Sequence, residues 1–272
     1  MILSHRLRAA AGNSGEQLPD IITTNLEQHI DFGFSSCYDQ SSSYSTVSDL
    51  SGNGHDMVVY YNSNPLTSSN ASKLVVDTGT TPSHVNLAGD DDLDLRQTYD
   101  VWNDLGTGDY TLEFWLNIKQ VNFQNSQWIW VDTTATPAAW TISTRNEKMT
   151  VYSMFNNSNQ VVDLDSSAYY STDGSLAGWE HLVFSKIGTG SNDFKFYRNN
   201  SLTFTGTTNN PSYLKSGNGF TSNSSNRFWT LVNYAGYALH GKFAIHRFYR
   251  GKGLTQTEVT YNYNAQKARF GL

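Results

Sequence analysis

The amino-acid sequence predicts an all-β protein made of antiparallel strands, a sandwich or a barrel, with one short C-terminal helix. From about residue 25 onward, apolar residues recur with a period of two rather than 3.6. Many short strand patterns are separated by clusters of Gly, Asn, Asp and Ser, which favour turns. No break in composition divides residues 25–272, so we predict one domain there.

The clearest strand covers residues 110–118. Leu112 and Phe114 lie on one face of it, and Glu113 and Trp115 lie on the other, because side chains alternate across a pleated strand. Further strands are predicted at residues 73–77, 127–131, 140–144, 149–154, 179–186, 193–198, 202–205, 227–232 and 242–249. Asn199-Asn200 is predicted to turn a hairpin within residues 194–204.

The helix is predicted from a capping box near the C-terminus. Thr255 occupies the N-cap position and Glu258 lies three residues later. Val259 and Tyr263 are four residues apart, so they can face the sheet together. We expect a helix of about 10–12 residues, which is a common length.

Composition excludes several classes of protein. Only 15% of residues are charged and 14% are aromatic, whereas disordered chains have high charge and few aromatics. The net charge is −6 and Lys and Arg form no run, which argues against binding nucleic acid through phosphates. No stretch approaches the roughly 20 apolar residues of a membrane span. A single cysteine, Cys37, excludes an intrachain disulfide framework.

Residues 1–24 are predicted to form an N-terminal arm. They contain Arg6 and Arg8 but no apolar run of the length found in signal peptides, so we expect a chain that is not secreted. Two interpretations of the arm remain open. It is either a flexible extension or an element that docks onto a larger assembly.

Several segments resemble the laminin-G-like domain of the concanavalin A-like lectin/glucanase superfamily. They are D-L-S-G-N-G-H-D at 49–56, K-L-V-V-D-T-G at 73–79, the strand at 110–118 with Trp115, W-E-H-L-V-F at 179–184 and F-K-F-Y-R-N-N at 194–200. Residues 25–31 are similar to the strand that precedes the first of these motifs in the family. The resemblance covers residues 25–272 and implies a two-sheet, antiparallel, jelly-roll-like sandwich.

The C-terminal segment carries the most specific resemblance. G-K-F-A-I-H-R-F-Y at 241–249, N-Y-N-A-Q-K at 262–267 and R-F-G-L at 269–272 resemble the closing strand and helix of these domains. In this family the ending with N-Y-N-A and R-F-G is typical of structural proteins of tailed bacteriophages. The resemblance therefore implies a virion protein.

No catalytic pattern is found in the sequence. The catalytic signature of glucanases in this superfamily is E-x-D-x-x-E, and it does not occur in this sequence. Retaining glycosidases need two carboxylates about 5–5.5 Å apart. Glu113 is a lone carboxylate on its strand, and Asp163 and Asp165 are interpreted as turn residues. His181 and His246 are interpreted as structural residues, and no G-x-S-x-G or H-E-x-x-H pattern occurs. We predict a protein that is not an enzyme and that requires no cofactor.

An acidic run predicts one metal site, for calcium. Asp90, Asp91, Asp92 and Asp94 place four carboxylates within five residues of a predicted loop. Calcium takes six to eight oxygen ligands, which such a loop can supply. The alternative interpretation is a solvated acidic loop, and Asp49 and Asp56 are interpreted as turn and cap residues.

The first functional hypothesis is a non-enzymatic virion structural protein: a capsid decoration, a neck component or a tail-fibre component. It would assemble in the host cytoplasm, contact other virion proteins through residues 1–24 and form a homo-oligomer. We expect no nucleic-acid partner and no insertion into a membrane.

The alternative hypothesis is a carbohydrate-binding module or adhesin, and the two hypotheses are compatible if a virion protein contacts host surface glycans. Aromatic rings stack on sugars, while Asn, Ser and Thr, which make up 84 of the 272 residues, bind hydroxyls. The candidate aromatic residues in or near loops are Trp102, Trp140, Tyr169, Tyr170, Tyr234 and Tyr237. A glycan-degrading enzyme on a virion is the third and least favoured hypothesis.

Overall fold

A computed structural model describes fourteen segments of the chain. They are residues 18–41, 43–62, 64–78, 82–88, 93–97, 108–118, 127–132, 140–145, 148–155, 158–164, 178–188, 193–206, 228–230 and 240–272. Their strands, in chain order, are β1 (Leu26–Asp31), β2 (Thr46–Val47), β3 (Met57–Tyr61), β4 (Asn64–Pro65), β5 (Val75–Asp77), β6 (His84–Ala88), β7 (Leu93–Gln97), β8 (Tyr110–Ile118), β9 (Gln127–Asp132), β10 (Trp140–Arg145), β11 (Lys148–Phe155), β12 (Ser158–Asp163), β13 (Glu180–Lys186), β14 (Phe194–Arg198), β15 (Ser201–Gly206), β16 (Phe228–Thr230) and β17 (His240–Arg250).

The strands form two antiparallel sheets. The first sheet has the order β15-β14-β13-β8-β17-β6-β5, and β1 pairs with β17 on the same side as β6. The second sheet has the order β12-β11-β10-β9-β16-β7-β3-β2, with β4 paired to β3. The predicted two-sheet antiparallel sandwich is therefore confirmed.

The core lies between the inner faces of the two sheets. Leu112, Phe114 and Leu116 of β8 belong to it, together with Leu95 and Ile142 of the second sheet. All nine residues of β8 are buried, including those on its outer face. The sequence predicts one buried face for this strand, and the other is buried because the C-terminal segment covers it.

The acidic run extends into a strand, which corrects the prediction of a loop at its end. Asp94 lies in β7, opposite Tyr60 of β3. Leu93 and Leu95 on either side of it are buried in the core, so the alternation of a strand continues through Asp94. Asp90, Asp91 and Asp92 lie outside the described residues.

The predicted helix is confirmed as α1, Gln256–Gln266, which has eleven residues. The Thr255 side chain accepts a hydrogen bond from the Glu258 amide, and the Glu258 side chain accepts one from the Thr255 amide, which completes the capping box. A short 3-10 helix, Lys267–Phe270, follows and ends at Gly271 in the left-handed conformation. Val259, Asn262 and Gln266 are the buried residues of α1.

Residues 18–24, the described end of the predicted arm, pack on the domain. Leu18, Ile21 and Ile22 are buried, and Ile21 and Ile22 belong to a cluster with Val259 of α1. The Tyr261 hydroxyl donates a hydrogen bond of 2.7 Å to Asp20. This part of the chain is therefore part of the sandwich. Residues 1–17 lie outside the described residues.

Candidate functional site

The structure describes the backbone of two sequence-predicted binding residues. Trp140 opens β10 and pairs with Asp132 of β9, whereas Asp94 lies in β7. Strands β10 and β7 are separated by β9 and β16, so the structure does not bring these two residues together. The other predicted aromatic residues lie outside the described part of the chain, namely Trp102, Tyr169, Tyr170, Tyr234 and Tyr237.

Two other site types are not found within the described segments. No group of three or more His, Cys, Asp or Glu side chains is placed to hold a metal ion there. The helices in those segments are also too short or too polar to cross a membrane.

The most prominent polar cluster lies beneath α1, on the outer face of the first sheet. Glu113 of β8 is fully buried at its centre. One carboxylate oxygen, Oε1, accepts hydrogen bonds from Arg247 Nη1 at 2.6 Å and pairs with His181 Nε2 at 2.9 Å. The other oxygen, Oε2, accepts a hydrogen bond of 2.8 Å from the side-chain amide of Asn262 in α1. This hydrogen bond joins the helix to a carboxylate of the sheet.

The same cluster holds the N-terminal segment. Asn262 Oδ1 accepts a hydrogen bond of 2.8 Å from the Ile22 amide, and the Tyr249 hydroxyl donates one of 3.0 Å to the Ile22 carbonyl. Asn262 also donates to the Tyr249 hydroxyl at 2.9 Å. A single side chain of α1 therefore connects the sheet to residues 18–24.

Electrostatics keeps Glu113 ionised. Burial on its own raises the pKa of this carboxyl, but the charge of Arg247 and the hydrogen bonds from His181 and Asn262 outweigh burial and lower the pKa to about 2. Burial also lowers the pKa of His246 to about 3 and holds the pKa of His29 well below its usual value. Both histidines are therefore neutral at physiological pH.

Glu113 and His181 resemble an acid–base pair, but their environment is that of a structural network. Both side chains are fully buried under α1, so no dissolved substrate reaches them. A catalytic base has to lie within hydrogen-bond reach of the substrate. We therefore interpret the cluster as the attachment of the helix, which agrees with the structural role predicted for His181.

An aromatic stack adjoins this cluster. The Trp115 ring lies 4.0 Å from the Phe270 ring and 5.9 Å from the Tyr263 ring, measured between centroids, and both pairs are stacked. His181 stacks on the same indole at 4.8 Å. Stacked rings bury a large apolar area and fix the angle at which the helix lies on the sheet.

Arg269 completes the attachment of the C-terminal segment. Its guanidinium donates two hydrogen bonds of 2.7 Å to the buried carboxylate of Asp31 in β1. It lies against the backbone of Gly33, where an added Cβ would fall 2.0 Å from Nη2. A side chain at position 33 would therefore force the guanidinium to shift.

The residues that carry the family resemblance meet in this one region. Trp115, His181, Asn262, Arg269 and Phe270 come from four separated motifs, yet all of them join the C-terminal segment to the first sheet. For Trp115 and His181, the sequence signal is a bulky aromatic or polar residue within a strand that is otherwise largely apolar. The motifs of the resemblance thus contain the residues that attach the C-terminal segment to the first sheet.

The D-L-S-G-N-G-H-D loop is a turn, as predicted. Asp49 accepts hydrogen bonds from the amides of His29 at 2.8 Å and Ser51 at 2.9 Å, and Asp56 accepts one from the Asp49 amide at 2.8 Å. The Asn53 amide side chain donates to the Leu26 carbonyl at 2.9 Å. These bonds tie the loop to β1.

No family model and no curated protein matches this sequence. Solved structures do. The binding domain of botulinum neurotoxin DC in complex with rat synaptotagmin II is 14% identical, with a TM-score of 0.62 over 90% of this chain and 52% of that chain. The binding domain of paraclostridial mosquitocidal protein 1 is 15% identical, with a TM-score of 0.59 over 89% of this chain and 52% of that chain.

A third structure matches along nearly all of its own length. It is domain 4 of AbnA, a GH43 extracellular arabinanase from Geobacillus stearothermophilus, in complex with arabinotriose. It is 17% identical, with a TM-score of 0.55 over 87% of this chain and 97% of that chain. The present chain spans about half the length of the toxin binding domains. Identities this low show a shared fold, and the chain has the β-sandwich fold of these binding domains.

Proposed function

We propose that this chain is a non-enzymatic β-sandwich domain that binds carbohydrate. The observation that carries the proposal is the structural similarity to domain 4 of the arabinanase, which was solved with arabinotriose and matches over 97% of its length. The two toxin structures are likewise named as binding domains. The composition, rich in aromatic residues and in Asn, Ser and Thr, supplies the groups that recognise sugars.

Much of the outer face of the first sheet is covered, which supports a main location for the ligand at the second sheet. Around Glu113, Trp115 and Tyr249 this face is occupied by α1, the 3-10 helix and residues 18–24. We therefore propose carbohydrate contacts in the connections that begin or end at strands of the second sheet. The candidate aromatic residues follow or open strands of that sheet: Trp102 follows β7, Trp140 opens β10, Tyr169 and Tyr170 follow β12, and Tyr234 and Tyr237 follow β16.

A glycan array tests this proposal. We expect the full chain to bind a subset of immobilised glycans, and Trp140→Ala or Tyr234→Ala to weaken that binding by about tenfold, because a lost stacking contact is of the order of 1.4 kcal/mol. Thr203→Ala, in the edge strand β15, is the control. Runs with calcium and with a chelator test the proposed ligands Asp90, Asp91, Asp92 and Asp94. An array without hits contradicts the function, and equal signals in the two runs contradict the calcium site.

A place in a tailed-phage virion is the second candidate function. The resemblance of residues 241–272 to structural proteins of tailed phages favours it. In the structure, side chains of this segment attach it to the first sheet. We propose that residues 1–17 contact other virion proteins and that the domain is displayed on the particle, where it contacts host polysaccharide.

Deletion of residues 2–17 tests the virion proposal. Because Leu18, Ile21 and Ile22 are buried, the deletion has to stop before residue 18 to leave the domain intact. We expect the shortened chain to keep its melting temperature within about 2 °C, since the deletion retains the buried residues Leu18, Ile21 and Ile22. We also expect it to be lost from purified particles, as measured by mass spectrometry. Normal incorporation would contradict an anchoring role.

A further inference from the structure

A second polar and aromatic surface lies on the outer face of the first sheet, beside the end of the C-terminal segment. We name it the β6 patch. Its members are Asp77, His84, Asn86, Asn117, Trp179 and Lys242. None of them is among the residues predicted from sequence to bind a ligand.

Strand register brings these residues together. Lys242 of β17 pairs with Asn86 of β6 on one side and with Asn117 of β8 on the other. His84, two residues before Asn86, pairs with Asp77 of β5. Residues directly opposite each other in antiparallel strands have Cβ atoms about 4.5–5.5 Å apart, so the polar side chains form one continuous row. Val85 and Phe243 of the same strands are buried in the core, which places the patch on the outer face.

The patch meets solvent. Asn86 is exposed, and Asp77, Trp179 and Lys242 are partly exposed. The carboxylate of Asp77 is 30% exposed. The cover formed by α1 and the 3-10 helix ends at Phe270, whose ring lies 5.0 Å from the ring of Trp179.

Trp179 is held in place by its neighbours. Its ring makes edge contacts with His84 at 5.6 Å and with Phe270 at 5.0 Å. The preceding residue, Gly178, has a φ of 111° and donates its amide to Asn117 Oδ1 at 3.1 Å. This positive φ turns the chain so that Trp179 follows directly beside the polar row. A fixed indole loses little entropy when a ligand binds to it.

His84 organises the polar row. Its Nδ1 donates to the Pro82 carbonyl at 2.7 Å, and its Nε2 lies 3.2 Å from Asn86 Oδ1 and 3.9 Å from Asp77 Oδ2. The imidazole is almost fully buried, so its contact with Asn86 fixes the position of a side chain that solvent reaches. An ordered amide beside an indole, with a carboxylate close by, forms a partly preorganised set of groups.

The chemistry of the patch suits a neutral sugar. The indole offers an apolar face, while Asn86, Asp77 and Lys242 offer donors and acceptors for hydroxyl groups. The charges of Asp77 and Lys242 cancel, which disfavours a polyanion as the ligand. We propose that the β6 patch binds a neutral sugar residue, as a second contact surface separate from the loops of the second sheet. This inference rests on the proposed function for its class of ligand.

Calorimetric titration of the full chain with arabinotriose, maltotriose and chitotriose tests the inference, with an oligogalacturonate as an anionic probe. We expect at least one neutral trisaccharide to bind. Asn86→Ala, Lys242→Ala and Trp179→Phe should each weaken that binding by about tenfold, since each removes one contact. The matched controls are Asn64→Ala in β4 and Lys195→Ala in β14, which should leave the affinity unchanged. Thermal melts should show all five variants folded.

The outcomes separate this inference from the proposed function. A loss of affinity in the β6-patch variants but not in the controls supports the patch. A loss confined to Trp140→Ala or Tyr234→Ala overturns the patch and leaves carbohydrate binding in place. Preference for the oligogalacturonate overturns the neutral ligand, and no binding by any trisaccharide overturns the inference outright. Trp179→Phe keeps an aromatic ring against Phe270, so its readout is not confounded by unfolding.

Discussion

Replacing Glu113 with Gln is expected to lower the free energy of unfolding by about 3–5 kcal/mol, the range measured when one partner of a buried ion pair is removed. Glu113 and Arg247 are both fully buried, and their side chains are 2.6 Å apart. Among the described residues, Arg247 Nε and Nη2 have no hydrogen-bond partner, so the carboxylate is the main compensation for the guanidinium charge. Urea denaturation at pH 7 measures the loss.

A partly exposed acid provides the control for this experiment. Glu27 pairs with His55 at 3.0 Å, with its side chain 26% exposed, and Glu27→Gln should cost less than about 1 kcal/mol. The double variant Glu113→Leu with Arg247→Met should lose less than the sum of the two single changes, because no buried charge remains. A loss for Glu113→Gln no larger than that for Glu27→Gln would show that the cluster does not stabilise the attachment of α1.

Acidification is expected to destabilise the protein below pH 6.5, and His246 should account for a large share of the effect. The usual histidine pKa near 6.5 applies to the unfolded chain, whereas burial lowers the pKa of His246 to about 3 in the folded protein. The unfolded chain therefore binds the extra proton first, and stability falls as the pH drops from 6.5 toward 3. Over the two pH units from 6.5 to 4.5, the free energy of unfolding should fall by roughly 2.7 kcal/mol because of His246. The lowered pKa of His29 acts in the same direction.

The effect of Glu113 falls in a lower pH range. Its pKa is about 2 in the folded protein and near 4.5 otherwise, so its stabilisation is present above pH 4.5 and is lost as the pH falls toward 2. Unfolding at pH 7 and pH 4.5 therefore reports mainly on the histidines. We expect His246→Phe, which keeps a ring against Phe114, to reduce the difference in stability between these two pH values by about 2–3 kcal/mol.

Ile30→Val is the matched control for the pH experiment. Ile30 is the buried cross-strand partner of His246 and does not titrate. The Ile30→Val substitution should lower the free energy of unfolding by about 1 kcal/mol, and by the same amount at both pH values. If His246→Phe and Ile30→Val show the same pH dependence, burial of the neutral imidazole is not a source of acid sensitivity.

The strands that the sequence predicts best are those with the strictest alternation, such as β8 and β13. Strands β2, β3, β4, β6, β7 and β12 are absent from the sequence prediction, and Asp163, interpreted from the sequence as a turn residue, is the last residue of β12. In β7, Asp94 lies between two core leucines, and the neighbouring acidic residues give the segment the composition of a loop. Tertiary burial of Leu93 and Leu95 overrides that local signal.

Candidate sites are less accessible to sequence reasoning than strands are. The β6 patch combines residues from β5, β6, β8 and β17 with Trp179, which is 62 residues from Asn117 along the chain. No local pattern connects them. Their meeting depends on strand order, since β17 is placed between β8 and β6 only when the sandwich has closed.

By itself, the sequence determined the all-β class, the capped helix at 256–266 and the alternation that directs one face of each strand to the core. Those features depend on contacts between near neighbours, which a linear pattern records. Only the tertiary structure decided that the outer face of β8 is buried too, with Glu113 ionised beneath α1. In the sequence, a carboxylate on the outer face of a strand predicts a side chain exposed to solvent. Its true environment follows from Arg247, His181 and Asn262, which are more than 60 residues away and reach it only through folding.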